Sequence, residues 1–168
     1  MSLEEINNTI DNLALDYLTL LEQNIQENVS LEQSIKDGNY HLVKARYIMG
    51  HRNVSSLQLP NEDSPDFKAM VKITENEVEN SLDDKFDLEI KNNTTNNGGE
   101  GDNEDVDIVN PVKWFGVLVP QDLKHAQSKF QHASHHVKNC ANIQSKIDDI
   151  SDKLLFLLNV KDSVNTEA

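Results

Sequence analysis

Residues 3–20, LEEINNTIDNLALDYLTL, decide the fold. Their apolar members Leu3, Ile6, Ile10, Leu13, Tyr17 and Leu20 fall alternately three and four positions apart. That is the a/d stripe of a coiled coil, and it predicts a helix with a narrow apolar seam. Past Leu20 the pattern continues less cleanly through Leu21, Ile25, Leu31 and Ile35, with Asn24 in the seam. Glu4 and Glu5 after Ser2 suit a helix start, where the backbone dipole favours acids. Asp37-Gly38-Asn39 predicts a break or kink near Gly38. A second helical piece, 40–49, follows with Tyr40, Val43, Tyr47, Leu42, Ala45 and Met49 as a mixed apolar surface, and Gly50 is placed to end it.

The other end of the chain repeats the pattern. Leu123, Ala126, Phe130, Ala133, Val137 and Cys140 again alternate three and four apart. The seam then moves by one position to Ile143, Ile147, Ile150, Leu154 and Leu157, a drift that absorbs the mismatch between 3.6 and 3.5 residues per turn. Pro120 and Asp122 fit a first helical turn. A helix over 120–160 is about 60 Å long at ~1.5 Å per residue. Two stripes of matched length cannot both stay in water. They predict an all-α fold in which two long helices form an antiparallel coiled-coil hairpin. The segments are then 1–50, an N-terminal coiled-coil helix; 51–110, an acidic, partly disordered linker; 111–162, a Trp-Phe-Gly motif and the C-terminal helix; and 163–168, a disordered tail.

Composition agrees. Of 168 residues only 5% are aromatic and 37% hydrophobic, few for a compact core but enough for narrow seams. The net charge is −14. Residues 60–111 hold 15 acids against four Lys, so most of that charge sits in the middle. Such a surface repels nucleic acid and anionic lipid, which excludes both as main partners. Cys140 is the single cysteine, so no internal disulfide forms. The start MSLEEI predicts no signal peptide. No apolar run approaches the ~20 residues of a membrane span.

Within the middle, 92–107 is low in complexity and is expected to be disordered. Phe67–Ile73 can be a short strand or a docking peptide. Residues 74–90 carry Val78, Leu82, Phe86 and Ile90 four apart and a Thr74/Glu77 capping pattern, which together predict a marginal helix.

The run Asn110-Pro111-Val112-Lys113-Trp114-Phe115-Gly116-Val117-Leu118-Val119-Pro120 holds the one Trp. It either folds back to staple the start of the second helix or presents Trp114 and Phe115 to a partner, since such residues dominate binding hot spots. Residues 114–120, followed by Leu123 and Ala126-Gln127, resemble the C-terminal signature of the coiled-coil domain-containing protein 115 family. Asp16-Tyr17-Leu18, Leu21-Glu22, Ala45-Arg46-Tyr47, Met49-Gly50 and Val54-Ser55-Ser56-Leu57-Gln58 are similar to that family's first block. The two regions, roughly 10–60 and 110–160, occur in the family's order.

This resemblance implies a non-catalytic assembly chaperone for the vacuolar proton ATPase. It implies a complex with a small endoplasmic-reticulum membrane protein and transient contact with membrane-sector subunits. It implies a peripheral location on the cytosolic face of the endoplasmic reticulum or on early secretory compartments, held there only through the partner. No cofactor is implied. Trp114, Phe115, Leu118, Arg46 and Tyr47 are the residues expected to bind partners. A prefoldin-like holdase, with Phe67–Ile73 and Val112–Val119 as two strands, and a trafficking adaptor are the alternatives.

Other polar features read more plainly. His125, His132, His135 and His136 lie on the second helix, and His132 and His136 have zinc-compatible spacing. Neither an HExxH glutamate nor a nearby carboxylate completes a ligand set, so a solvated face is favoured over metal or a metal-dependent enzyme. Lys44, Arg46 and Arg52 read as cations suited to a helix C-terminus rather than an anion site. Cys140, in the seam, reads as a packed thiol.

Overall fold

The computed structural model describes residues 3–77, 83–91, 108 and 110–166. Two helices dominate it: α1, Leu3–Met49, and α2, Gln121–Thr166. Two short strands, β1 (Val71–Glu75) and β2 (Phe86–Ile90), pair between them. 3-10 turns occur at Ser56–Gln58 and Pro111–Phe115. The fold is therefore mostly helical, as expected, but not all-α. The stretch 92–107, expected to be disordered, lies outside the described residues, as do Val78 and Leu82. The helix α2 continues past the expected end at Asp162 to Thr166.

Where residues 74–90 are described, strand stands in place of the expected marginal helix at Thr74–Glu75 and Phe86–Ile90. The sheet is antiparallel: the Asn76 N–H donates to the Lys85 carbonyl (2.8 Å), and the Lys91 N–H donates to the Met70 carbonyl (2.9 Å). The spacing that pointed to a helix was ambiguous, because a period of four is also twice two. Phe86, Leu88 and Ile90 are all half-buried while Asp87 and Glu89 are exposed. That alternation is a strand's, and Leu88 is the residue that distinguishes it from a helix. Residues 112–119 supply no strand; their first part is the 3-10 turn that begins at Pro111.

The chain divides into two compact units. The first comprises Met1–Ser30, Glu75–Asp87 and His136–Ala168. Here α1 and α2 segments pair with opposed directions: Thr9 and Leu13 neighbour Phe156 and Leu157, Asn24 bonds Gln144 (3.4 Å), and Glu27 bonds His136 (2.6 Å). Ile6, Ile147 and Ile150 are buried. The expected seam residues Ile25 and Val137 are exposed instead. Asn24 and Glu27 continue the three-four spacing on α1, and His136 takes the inner place beside Val137, bonded to Glu27. The register step on α2 thus falls at His136 rather than after Cys140.

Asn142 is 3% exposed and belongs to the same unit. Its side-chain amide donates to the Phe86 carbonyl (2.9 Å) and accepts from the Phe86 N–H (2.8 Å). It therefore stands where a neighbouring strand's peptide group would, and pins β2 by its outer edge. Lys146 adds an ion pair to Asp84 at 2.8 Å.

The second unit comprises Leu31–Thr74 and Leu88–His135. Helix α1 passes through Asp37-Gly38-Asn39 without interruption, against the expected break. Gly38 is buried, and a Cβ there would meet the Phe130 ring at 3.0 Å. Glycine is present to admit that ring, not to end a helix. Ile35, placed in the seam by its apolarity, is exposed, while Ser34 and Gly38 lie inward. The core of this unit is Ala45, Val54, Val112 and Leu123, with Leu42, Met49, Phe115 and Val119 packed against it.

Candidate functional site

The site is built where three segments of the second unit converge on that core. After Met49, Gly50 adopts φ +89°, as its place after the helix predicts, and its N–H returns to the Arg46 carbonyl (2.9 Å). The chain then turns so that Val54 enters the core. Ser55 and Gln58 close a reciprocal cap, with the Ser55 N–H donating to Gln58 Oε1 at 3.0 Å. This Ser-x-x-Gln box is the physical content of the Val54–Gln58 run.

Asn110 organises the second segment. Its Oδ1 accepts from the Val112 N–H (3.1 Å) and from Gln127 Nε2 (2.9 Å). Pro111 starts the 3-10 turn, and Gly116, at φ +129°, ends it. The turn directs Val112 and Phe115 onto the core and sets Trp114 edge-to-face on Phe67, with centroids 5.3 Å apart.

Between this turn, the run from Phe67 to Val71 and α2 lies an open apolar groove of about 450 Å³. Leu42, Phe67, Ala69, Met70, Val71, Val112, Trp114, Phe115, Leu123, Ala126 and Phe130 line it. Its polar lining is limited to Gln127, Gln131 and Ser134, and no charged residue is among the described lining. The two glutamine amides point to the Met70 sulfur at 3.7 and 3.8 Å. Phe67 and Trp114 also line a second hollow of about 370 Å³ with Leu59, Pro60 and Pro65. The described lining of the groove holds one hydroxyl, Ser134, and no Cys, His, Lys, Asp or Glu. The groove suits a large, uncharged, apolar guest.

The five residues expected to bind partners separate into two groups. Trp114 and Phe115 form groove wall, half-buried. Leu118 is 93% exposed beside a fully exposed Val117, and Tyr47 is 89% exposed. Arg46 is exposed, with Nη2 at 3.4 Å from His51 Nδ1. Phe67, Met70 and Phe130 are groove residues that the sequence did not place among the partner-binding set. The pairing of Phe67 with Trp114 across 47 positions leaves no periodic signal to find it.

Polar contacts clamp this unit's helices. His41 Nδ1 lies 2.8 Å from Asp122 Oδ1, with Lys44 Nζ at 3.7 Å and the His125 ring 5.3 Å from His41. The His41 hydrogen bond holds the Asp122 carboxyl below the usual carboxylate range, helped by Lys44. Lys129 does the same to Asp37 through a 2.8 Å bond. A depressed folded pKa stabilises the fold fully above the unfolded value of about 3.9, and that contribution disappears as pH falls through the folded value. Acid unfolding below about pH 4 is expected to be steeper in the natural protein than in Asp122→Asn. Circular dichroism against pH checks this; identical acid limbs would remove Asp122 from the clamp. Among the described residues no three of His, Cys, Asp and Glu gather to hold a metal. Burial pushes the Cys140 thiol up, away from nucleophilic use.

Residues 11–133 match the family described as Vma22/CCDC115. They include every groove residue named above except Ser134. The chain belongs to the Vma22/CCDC115 family. It is similar to the Vacuolar ATPase assembly protein VMA22 of Danio rerio, 29% identical over 175 residues covering 84% of each chain. The proteins of the same name from Bos taurus and Homo sapiens are each 27% identical over 88% of both chains. No solved structure matches the chain. Among the described residues, no helix is long and apolar enough to cross a membrane.

Proposed function

We propose that the protein is a non-catalytic assembly factor for the vacuolar proton ATPase, and that the groove of its second unit shelters apolar segments of unassembled membrane-sector subunits. The observation that carries this reading is the groove's uncharged, aromatic lining, in a family whose relatives are named for assembling that ATPase. A membrane-sector subunit outside its complex exposes apolar helix surface, and such surface gains by entering an apolar groove. The helices, read as an antiparallel coiled-coil hairpin, are the scaffold. Phe67, Met70, Trp114, Phe115 and Phe130 grip the client, and exposed Leu118, Tyr47 and Arg46 extend the contact. A small endoplasmic-reticulum membrane protein holds the chain at the cytosolic face of that membrane, and the outcome is vacuolar acidification.

Leu118→Asp is the cleanest test, because so exposed a side chain contributes nothing to the fold. It is expected to leave thermal stability unchanged. Together with Trp114→Ala it is expected to reduce co-purification of membrane-sector subunits by about tenfold or more, as loss of hot-spot residues does. Vacuolar pH rises in the same cells. Normal subunit recovery and normal acidification with both variants would overturn the reading.

A further inference from the structure

Helix α1 carries a second apolar stripe in the first unit. Leu15, Leu18, Ile25 and Val29 are each 60–64% exposed. They share one heptad phase, on the face opposite Ile6, Ile10, Leu13 and Tyr17. Glu22 fills the open position between Leu18 and Ile25, and Glu4 and Asp11 extend the same line towards the N-terminus, all exposed. Single exposed leucines are ordinary. Four large apolar side chains in one heptad phase are what a helix presents to another helix.

Charge selects the occupant. Residues 3–35 contain seven acids and no Lys, Arg or His. A second copy would set acids against acids across the whole stripe, and an anionic lipid surface is repelled for the same reason. We propose that this stripe docks a basic amphipathic helix of a partner protein. Its apolar residues cover Leu15, Leu18, Ile25 and Val29. A Lys or Arg meets Glu22 and fixes the register, because a charged residue within an apolar seam is tolerated in one alignment only. The site is independent of the groove, which belongs to the other unit and has no charged lining residue among those described.

The experiment uses the full chain and two synthetic helical peptides of about four heptads. Both carry Leu at the a and d positions; one has Lys and the other Glu at the flanking positions. Fluorescence anisotropy is expected to give binding of the Lys peptide and about tenfold or more weaker binding of the Glu peptide, with the gap narrowing at high salt. Leu18→Asp combined with Ile25→Asp is expected to weaken the Lys peptide by about tenfold or more while the circular dichroism spectrum is kept. Trp114→Ala leaves this binding intact, which separates it from the groove. In cells, a photoreactive residue at position 25 is expected to crosslink to a Lys/Arg-rich amphipathic segment, identified by peptide mapping. Equal binding of the two peptides, indifference to the double variant, or a crosslink to a second copy or an acidic segment would overturn the proposal.

Discussion

Gly38→Leu is expected to destabilise the protein by about 2–3 kcal/mol, the upper part of the range for overpacking a well-filled site, while Gly38→Ala stays close to neutral. Two effects oppose each other at this position. A glycine inside a helix costs about 1 kcal/mol relative to alanine, so any side chain recovers part of that. Against it, a Cβ at position 38 would stand 3.0 Å from Phe130 Cε1 and Cζ and 3.2 Å from Cδ1. For alanine the ring edge retreats by a few tenths of an ångström and the terms nearly cancel. For leucine the remaining side-chain carbons have no space on this buried face, and the overpacking term wins. Phe130 lines the groove, so the displaced ring also narrows the groove. Urea unfolding of the two variants checks the ranking. Pairing Gly38→Leu with Phe130→Ala is expected to recover part of the loss, since the two residues share one space. If leucine were as well tolerated as alanine, the close approach at Gly38 would be wrong.

That glycine also illustrates how the sequence is read. The two stripes were legible because a heptad phase is a property of neighbouring residues on one helix. Ile6, Ile10, Leu13, Leu123, Ala126, Ile147 and Ile150 all lie inward, as spacing alone required. The misplacements occurred where composition and phase disagreed. Ile25 and Ile35 fit the seam only by being apolar, and phase puts Asn24 and Ser34 closer to it; Val137 keeps the three-four spacing, but the register step falls one place earlier, at His136. Gly38 reads as a break or kink because a helix interior gives no local reason for glycine. The reason is the Phe130 ring, 92 positions away. The groove was half legible: Trp114 and Phe115 stood out as rare residues in a proline-bracketed run, but the walls from Phe67, Met70 and Phe130 depend on tertiary contacts. The strands were hidden by a spacing of four that fits either period.

Asn142→Asp is the substitution expected to cost most, about 3–4 kcal/mol, because it leaves a charge buried and poorly matched. The Asn142 amide spends one N–H and its oxygen on Phe86. Aspartate keeps the acceptor for the Phe86 N–H but loses the donor. Its second oxygen then faces the Phe86 carbonyl at about the present 2.9 Å, lone pair against lone pair. The position is almost fully buried, so water does not screen the clash. Asn142→Ala is milder, at about 2 kcal/mol: two hydrogen bonds are lost, but Phe86 is only half-buried and its backbone can turn to solvent. The order Asp worse than Ala is the diagnostic, since size predicts the reverse: Asp is nearly isosteric with Asn. Denaturant titration gives the ranking, and amide exchange gives the location. The Phe86 N–H is expected to exchange faster in both variants, ahead of the α2 amides around position 142. Equal stability of the two variants, or unchanged exchange at Phe86, would mean that β2 is not held through this side chain. Nothing in the heptad demanded asparagine here. Its amide is retained because only a side chain shaped like a peptide bond can pair with a strand edge from the surface of a helix.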